Sequence, residues 1–336
     1  MRFRGRGLSH PFAGVRSLAI AMALLAVGLG AGAAVAQAAR TVPESQARQA
    51  MRFWTPARMK RAHPLGGLRS GSPSIAAGAE QAVASSPHAI PPLAPDGEEA
   101  GASSATETVL DPTLPLTRTN GVIFILLGPF DLGRCSGTSV NAPNFSVVFT
   151  AAHCIRGGGP GGDWFPLRWV FVPGYRYGQR PFGVFPAKWM ETTRLWRTTG
   201  SENFDVGAVV VSRNERGQRL GKVVGGTGIA WGLKPRQVFD VHGYSAAPPF
   251  DGETQQLCAQ TPFLGHDPRS FVDPGPLNLA VECEVTGGAS GGGWTIEGNM
   301  LNGVTSYGYG GAPSIDFGPY FGKEVGRLYA RARRAR

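Results

Sequence analysis

The sequence contains no Cys-x-x-Cys pair, and 336 residues hold only four cysteines and six histidines. Paired ligands at short spacing are what structural zinc sites require, so that class is set aside. Charge is also missing where a nucleic-acid face would need it. Residues 71–336 carry 22 Lys/Arg against 22 Asp/Glu, a balance of zero. The formal +10 lies wholly in residues 1–70, which hold 11 Lys/Arg and a single acidic residue, Glu44. A basic binding face on the folded part is thereby excluded, and no nucleic-acid partner is expected. Extended helical patterning is scarce as well, because 49 glycines and 27 prolines favour turns and short strands.

One long apolar run occurs, from Leu18 to Val35, preceded by Arg2, Arg4, Arg6 and Arg16. It ends in Ala34-Val35-Ala36 and Ala36-Gln37-Ala38, small-residue sites suited to cleavage. That is the layout of a secretory signal peptide over residues 1–38. An uncleaved anchor is the rival, since the run nearly spans a bilayer. Its alanine and glycine content and the Ala-x-Ala sites favour cleavage, leaving no stable membrane span and a secreted product. Cys135, Cys154, Cys258 and Cys283 suit an oxidising compartment, although four cysteines allow three connectivities.

Residues 39–116 read as a pro-segment and linker. Glu44 to Arg61 can form a helix in pieces, interrupted at Pro56, with Met51, Phe53 and Trp54 as its apolar content. From Gly66 to Leu116 the chain is rich in Ala, Ser, Pro and Gly, with too little apolar surface for a core. A disordered spacer that stays attached is the alternative. The texture changes at Asn120. Val122–Leu127, Ser146–Thr150, Arg168–Val172, Val206–Val211 and Gln237–Val241 read as short strands, and Trp294–Ile296 with Leu301–Thr305 as a hairpin. An antiparallel barrel or sandwich is expected, with one helix from Lys323 to Arg336 whose arginines form a solvated face.

Two segments carry chemistry. Val148-Phe149-Thr150-Ala151-Ala152-His153-Cys154 places a histidine after an apolar strand, and Thr286-Gly287-Gly288-Ala289-Ser290-Gly291-Gly292 places a serine in a glycine-rich turn. A serine hydroxyl is a poor nucleophile until a positioned imidazole takes its proton. Together these segments resemble the histidine and serine motifs of trypsin-like, chymotrypsin-fold serine proteases, over residues 117–336. Cys135-Ser136-Gly137-Thr138-Ser139-Val140 is similar to the bacterial branch that includes V8-like and glutamyl endopeptidases.

The resemblance implies an all-β fold of two antiparallel six-stranded barrels with a C-terminal helix, and a serine endopeptidase acting on protein or peptide substrates. It implies His153 as general base, Ser290 as nucleophile, and an oxyanion hole from the amides of Gly288 and Ser290. The third member is a carboxylate between them in sequence, from Asp163, Asp205, Asp240, Asp251, Asp267 and Asp273. Asp205 is chosen because Asn203-Phe204-Asp205 leads into the buried run Val206–Val211. The resemblance also implies a Cys135–Cys154 disulfide, which leaves Cys258 with Cys283. His242 and His266 lack such a context and are expected at the surface or in turns.

For substrate binding, Glu284 matches the base of the specificity pocket, where a carboxylate suits Arg or Lys. Ser306 and Gly308 lie in the wall strand. Glutamyl endopeptidases place a histidine in that wall, and none is present, which counts against Glu specificity. Two departures stand out. Ala289 replaces the aspartate that pairs with a new N-terminus in digestive relatives, and Gly293 stands where proline is common and is expected to loosen a turn. No cofactor or metal is required, and a monomer is expected. A binding module on the same fold, without activity, is the alternative.

Overall fold

The computed structural model describes residues 38–66, 68–72, 75–76, 86–96, 111, 114–115, 117–165 and 167–335. The leader over residues 1–38 therefore lies almost wholly outside the described residues. Among those described, no helix is long and apolar enough to cross a membrane.

Six antiparallel strands close a barrel. Asn120–Gly128 pairs with Asp131–Val140, which pairs with Val147–Thr150, then Gly207–Val211, Phe185–Thr192, Val170–Pro173 and back to Asn120–Gly128. Alternation along the first strand divides its side chains between two cores. Ile123 and Ile125 point inward with Val148, Phe171 and Val209. Val122 and Phe124 point outward with Val170, Val172 and Tyr175.

The second sheet is built from Gly228–Trp231, Val238–Gly243, Gln256–His266, Leu279–Glu282, Gly293–Ile296, Met300–Val304, Tyr307–Tyr309 and Ala312–Gly318. The expected hairpin forms, with Gly293–Ile296 antiparallel to Met300–Val304. Its hydrogen-bonded path runs from Tyr307–Tyr309 to Gly228–Trp231 without closing, so the second half is a sheet where the first is a barrel. Both disulfides pair as expected, Cys135 with Cys154 and Cys258 with Cys283.

The stretch after the leader is more ordered than its composition suggested. Ala39–Thr41 adds a strand to Phe185–Thr192, and His88–Ile90 adds one to Gly228–Trp231. Helices form at Glu44–Phe53 and Pro56–Lys60, the second capped by Thr55, whose hydroxyl accepts from the Arg58 amide. Trp54 and Met59 are buried, and Trp54 lies 5.2 Å from the Phe124 ring. These few apolar residues form no core of their own because they complete the outer face of the barrel instead.

The C-terminal helix runs Lys323–Ala332 and packs Val325, Leu328 and Tyr329 against Val210 and Phe149. Its arginines Arg327, Arg331, Arg333 and Arg334 are exposed, as a solvated face requires, and two of them also pair with carboxylates. Arg331 Nε lies 2.7 Å from Glu191 Oε1, whose side chain is only 3% exposed, and Arg327 pairs with Glu324. Burial pushes the Glu191 carboxyl up, with Arg331 and Arg197 opposing the shift.

Candidate active site

The strand Val147–Thr150 ends in a single 3-10 turn, Ala152–Cys154, that carries His153. The Cys135–Cys154 bridge fastens that turn to the neighbouring strand. Asp205 follows a second such turn, Glu202–Phe204, at the entrance to Gly207–Val211. Because those two strands are paired, Asp205 arrives beneath His153. The His153 ring Nδ1 is 2.7 Å from Asp205 Oδ2, and the His153 amide donates to Asp205 Oδ1 at 2.8 Å. Ser306 donates its hydroxyl to Asp205 Oδ2 at 2.6 Å. The carboxylate is buried, yet its charge is held by three donors.

Electrostatics follow from this arrangement. Burial alone would raise the Asp205 pKa, but the imidazole beside it and the hydrogen bonds from His153 and Ser306 bring it below the ordinary value. For His153, burial pulls the pKa down and the Asp205 charge and hydrogen bond more than offset it, so the net direction is upward. Asp205 thus fixes the imidazole with Nδ1 towards itself and Nε2 free to face a substrate.

Ser290 sits in the loop before Gly293–Ile296. Gly288 has φ +99°, an angle that glycine reaches without steric cost and that turns its amide into the cleft. The loop is tied to the barrel by Ser136. Its amide donates to the Ser290 carbonyl at 2.8 Å, its hydroxyl donates to the Gly288 carbonyl at 2.9 Å, and the Tyr244 amide donates to that hydroxyl at 2.9 Å. Ser136 was named only as part of a motif, with no role, since the contact spans two halves of the chain. Ser290 Oγ and His153 Nε2 lie 2.3 Å and 3.1 Å from the point that a Cβ on Gly66 would occupy, so the two atoms flank one spot. Ser290 Oγ is directed at the Leu65 carbonyl oxygen at 3.4 Å, and His153 Nε2 is buried without a partner.

The remaining sequence candidates are placed as follows. Ser306 holds Asp205, whereas it was singled out for substrate. Gly308 lies on the strand Tyr307–Tyr309, opposite Asp316 on one side and Leu68 on the other. Glu284 is exposed beside Cys283 and joins no buried cluster. Ala289 is fully buried, with no carboxylate there to receive an N-terminus. Gly293 is a strand residue rather than a loose turn: a Cβ there would meet Thr138 Oγ1 at 2.4 Å and Leu301 Cδ1 at 2.8 Å. Among the other aspartates, Asp267 accepts from the Tyr307 and Tyr309 hydroxyls at 2.7 and 2.8 Å, and Asp240 accepts from the Gln260 amide at 2.7 Å.

His242 and His266, expected at the surface or in turns, are buried on strands. Burial lowers the His242 pKa to about 4, and its Nδ1 meets Gln255 Nε2 at 3.1 Å. Both are therefore framework histidines, each with its Nδ1 hydrogen-bonded inside the fold. Among the described residues, the one grouping with metal-like spacing is Cys135, His153 and Cys154, and its two sulfurs are joined to each other.

A histidine steadied by a buried carboxylate, next to a serine in a glycine-framed loop, thus lies between a β-barrel and a second β-sheet, the arrangement that the sequence resemblance implied for chymotrypsin-fold serine proteases. Comparison with solved structures places the chain in that class. The protease Anisep from Arthrobacter nicotinovorans is 32% identical, with a TM-score of 0.60 over 68% of this chain and 99% of its own. AL20, a thermostable serine protease from an extremophilic microorganism, is 30% identical, with a TM-score of 0.60 over 66% of this chain and 100% of its own. The chain belongs to the chymotrypsin-fold serine protease family. No protein-family model and no curated protein matches it.

Proposed function

We propose that the protein is a secreted serine endopeptidase, of the bacterial V8-like branch, made with an N-terminal pro-segment within residues 39–116. The observation that carries this reading is the pairing of His153 Nδ1 with the buried Asp205 carboxylate beside Ser290. In the first half-reaction, His153 Nε2 takes the Ser290 proton as Oγ attacks the scissile carbonyl carbon. The oxygen of the tetrahedral intermediate gathers negative charge, which the amides of Gly288 and Ser290 stabilise. His153 then protonates the leaving amine, and the C–N bond breaks to leave an acyl-Ser290 ester. In the second half, water gives a proton to His153 as it attacks the ester carbon, and when the acyl–Oγ bond breaks His153 returns that proton to Ser290 Oγ, releasing the acid and restoring both residues. Asp205 keeps its charge throughout, holding the tautomer and stabilising the imidazolium.

The pro-segment assignment draws on the comparisons in one respect. Both relatives are aligned over nearly their whole length with about two thirds of this chain, the share that residues 117–336 make up. The branch assignment rests on the motifs Cys135–Val140 and Val147–Cys154. The test is labelling of the secreted protein with a serine-directed phosphonate, followed by peptide mapping. Label on Ser290 that is absent from Ser290→Ala supports the reading. A processed protein that takes no label and cuts no peptide library would instead be a binding module on the protease fold.

A further inference from the structure

The cleft already holds a ligand, and it comes from the same chain. The segment His63-Pro64-Leu65-Gly66 crosses the first barrel, and Leu68-Arg69 continues it along the second sheet. His63 and Pro64 pair with Gly133 and Arg134, and the Leu65 amide donates to the Arg134 carbonyl at 2.8 Å. On the far side, Leu68 and Arg69 pair with Gly308 and Tyr309, and the Gly310 amide donates to the Arg69 carbonyl at 2.8 Å. Between these anchors the Leu65 carbonyl accepts from the Gly288 amide at 3.1 Å, one of the two groups assigned to the oxyanion hole.

Two side chains of the segment, Leu65 and Arg69, have seats of matching chemistry. Leu65 is partly buried against the barrel core beside Leu127 and Gly133. The Arg69 guanidinium lies 4.0 Å above the Tyr307 ring and pairs with Glu202. Gly66, at φ +69°, lies directly over the nucleophile, where any Cβ would fall 2.3 Å from Ser290 Oγ. A side chain at position 66 would force Ser290 Oγ to move and would strain the backbone at this φ.

Ser290 Oγ is directed at the Leu65 carbonyl oxygen, and His153 Nε2 has no hydrogen bond from it. The nucleophile is left unactivated. Both flanking ladders are parallel and only two residues long, a pairing less stable per residue than an antiparallel one, which suits a ligand that must leave.

We infer that His63–Gly66 with Leu68 and Arg69 are a built-in inhibitor of the protease cleft, seated through Leu65 and Arg69 and closed over Ser290 by Gly66. This rests on the catalytic reading above only for its effect on activity, not for the occupancy itself. The experiment uses the full chain after leader removal, uncleaved, as wild type, Gly66→Ala and Arg69→Ala. Phosphonate labelling of Ser290 is expected to be slower in the wild type than in either variant by about tenfold, the factor that ~1.4 kcal/mol of lost contact produces. Amide exchange, measured in the Ser290→Ala chain, is expected to show Leu65 and Gly288 protected and to lose that protection with Gly66→Ala. Equal labelling of wild type and variants, or exchange of residues 63–69 at the rate of an unfolded peptide, would overturn the inference. Protection without labelling of any chain would leave the occupancy standing and remove the catalytic reading instead.

Discussion

Ser306 donates its hydroxyl to the same oxygen of Asp205 that faces the His153 ring, so one buried carboxylate oxygen serves two partners from opposite halves of the molecule. The barrel supplies His153 and Asp205, and the second sheet supplies Ser306 and Ser290. Correct docking of the halves is thereby sensed at a single atom.

Ser290→Ala and His153→Ala are each expected to reduce kcat/KM by roughly 10⁴-fold or more without changing the folded state, because residues acting as a unit fail together. Ser306→Ala should cost less, about tenfold, since the two bonds from His153 to Asp205 persist. Steady-state kinetics on one cleaved peptide, with circular dichroism of each variant, check this. Near-parental turnover in Ser290→Ala would end the proposed mechanism.

Activity should fall as pH drops through the His153 pKa, because only the neutral imidazole can accept the Ser290 proton. That pKa lies above the ordinary 6.5, burial being outweighed by Asp205. The acid limb of kcat/KM should therefore sit above pH 6.5 in the processed enzyme. Asp205→Asn removes the charge that raises it and should move any residual limb to lower pH while sharply lowering the rate.

A second histidine gives the bound segment its own pH response. His63 Nε2 contacts Asp131 Oδ1, and that hydrogen bond, against partial burial, raises the His63 pKa. The sign is that of a histidine gaining a partner. The attachment is fully present below about pH 6.5 and is lost as pH rises through the folded pKa. His63→Ala should thus speed labelling of the uncleaved chain at pH 5.5 and change it little at pH 8.5. An equal ratio at both values would sink this expectation.

Loss of the Cys135–Cys154 bridge, by Cys135→Ala with Cys154→Ala, should cost about 3 kcal/mol, as expected for a sequence separation of 19. It should also impair catalysis, because the turn that bears His153 loses its fastening. Urea unfolding of the double variant, run beside activity, separates the two effects.

The processed N-terminus is expected between Leu110 and Asn120, and the structure narrows that window. Thr117, Arg118, Thr119 and Asn120 are buried, and the Thr119 carbonyl accepts from the Ser139 amide at 2.7 Å. Cleavage is therefore expected before Thr117. With Ala289 buried where the resemblance to digestive proteases would put a carboxylate, one extra residue ahead of the new terminus should leave activity nearly unchanged. N-terminal sequencing and assay of the extended form decide both points. Fully active protein that begins near Arg40 would show that residues 39–116 are no pro-segment.

What the sequence made legible was local. His153 and Ser290 sit in short runs whose neighbours betray them, and Asp205 opens a buried strand. Strands with uniform apolar faces, such as Asn120–Gly128, were also readable. Asp131–Val140 was not, because Arg134, Ser136, Thr138 and Ser139 are buried polar residues satisfied by distant partners. The helical pieces broken at Pro56 were readable too, whereas the strands Ala39–Thr41, His63–Pro64 and Leu68–Arg69 were hidden for the same reason as Asp131–Val140. Trp54, Met59 and Leu65 follow no helical or alternating period, and their counterparts Phe124, Gly133 and Ser290 lie far along the chain.

The seat of Trp54 and Met59 on the barrel has a kinetic consequence. Burying two such side chains is worth about 1.5–3 kcal/mol each, so a cut in the linker near Leu114 would not by itself part the two pieces. The nicked protein would remain one particle, silent until the smaller fragment falls away or is digested. Activation would then show a lag after the cut, shortened by dilution and abolished in Trp54→Ala. The time at which proteolysis begins outside the cell would be set by the loosening of an aromatic contact on the back of the barrel, remote from any bond that is cleaved.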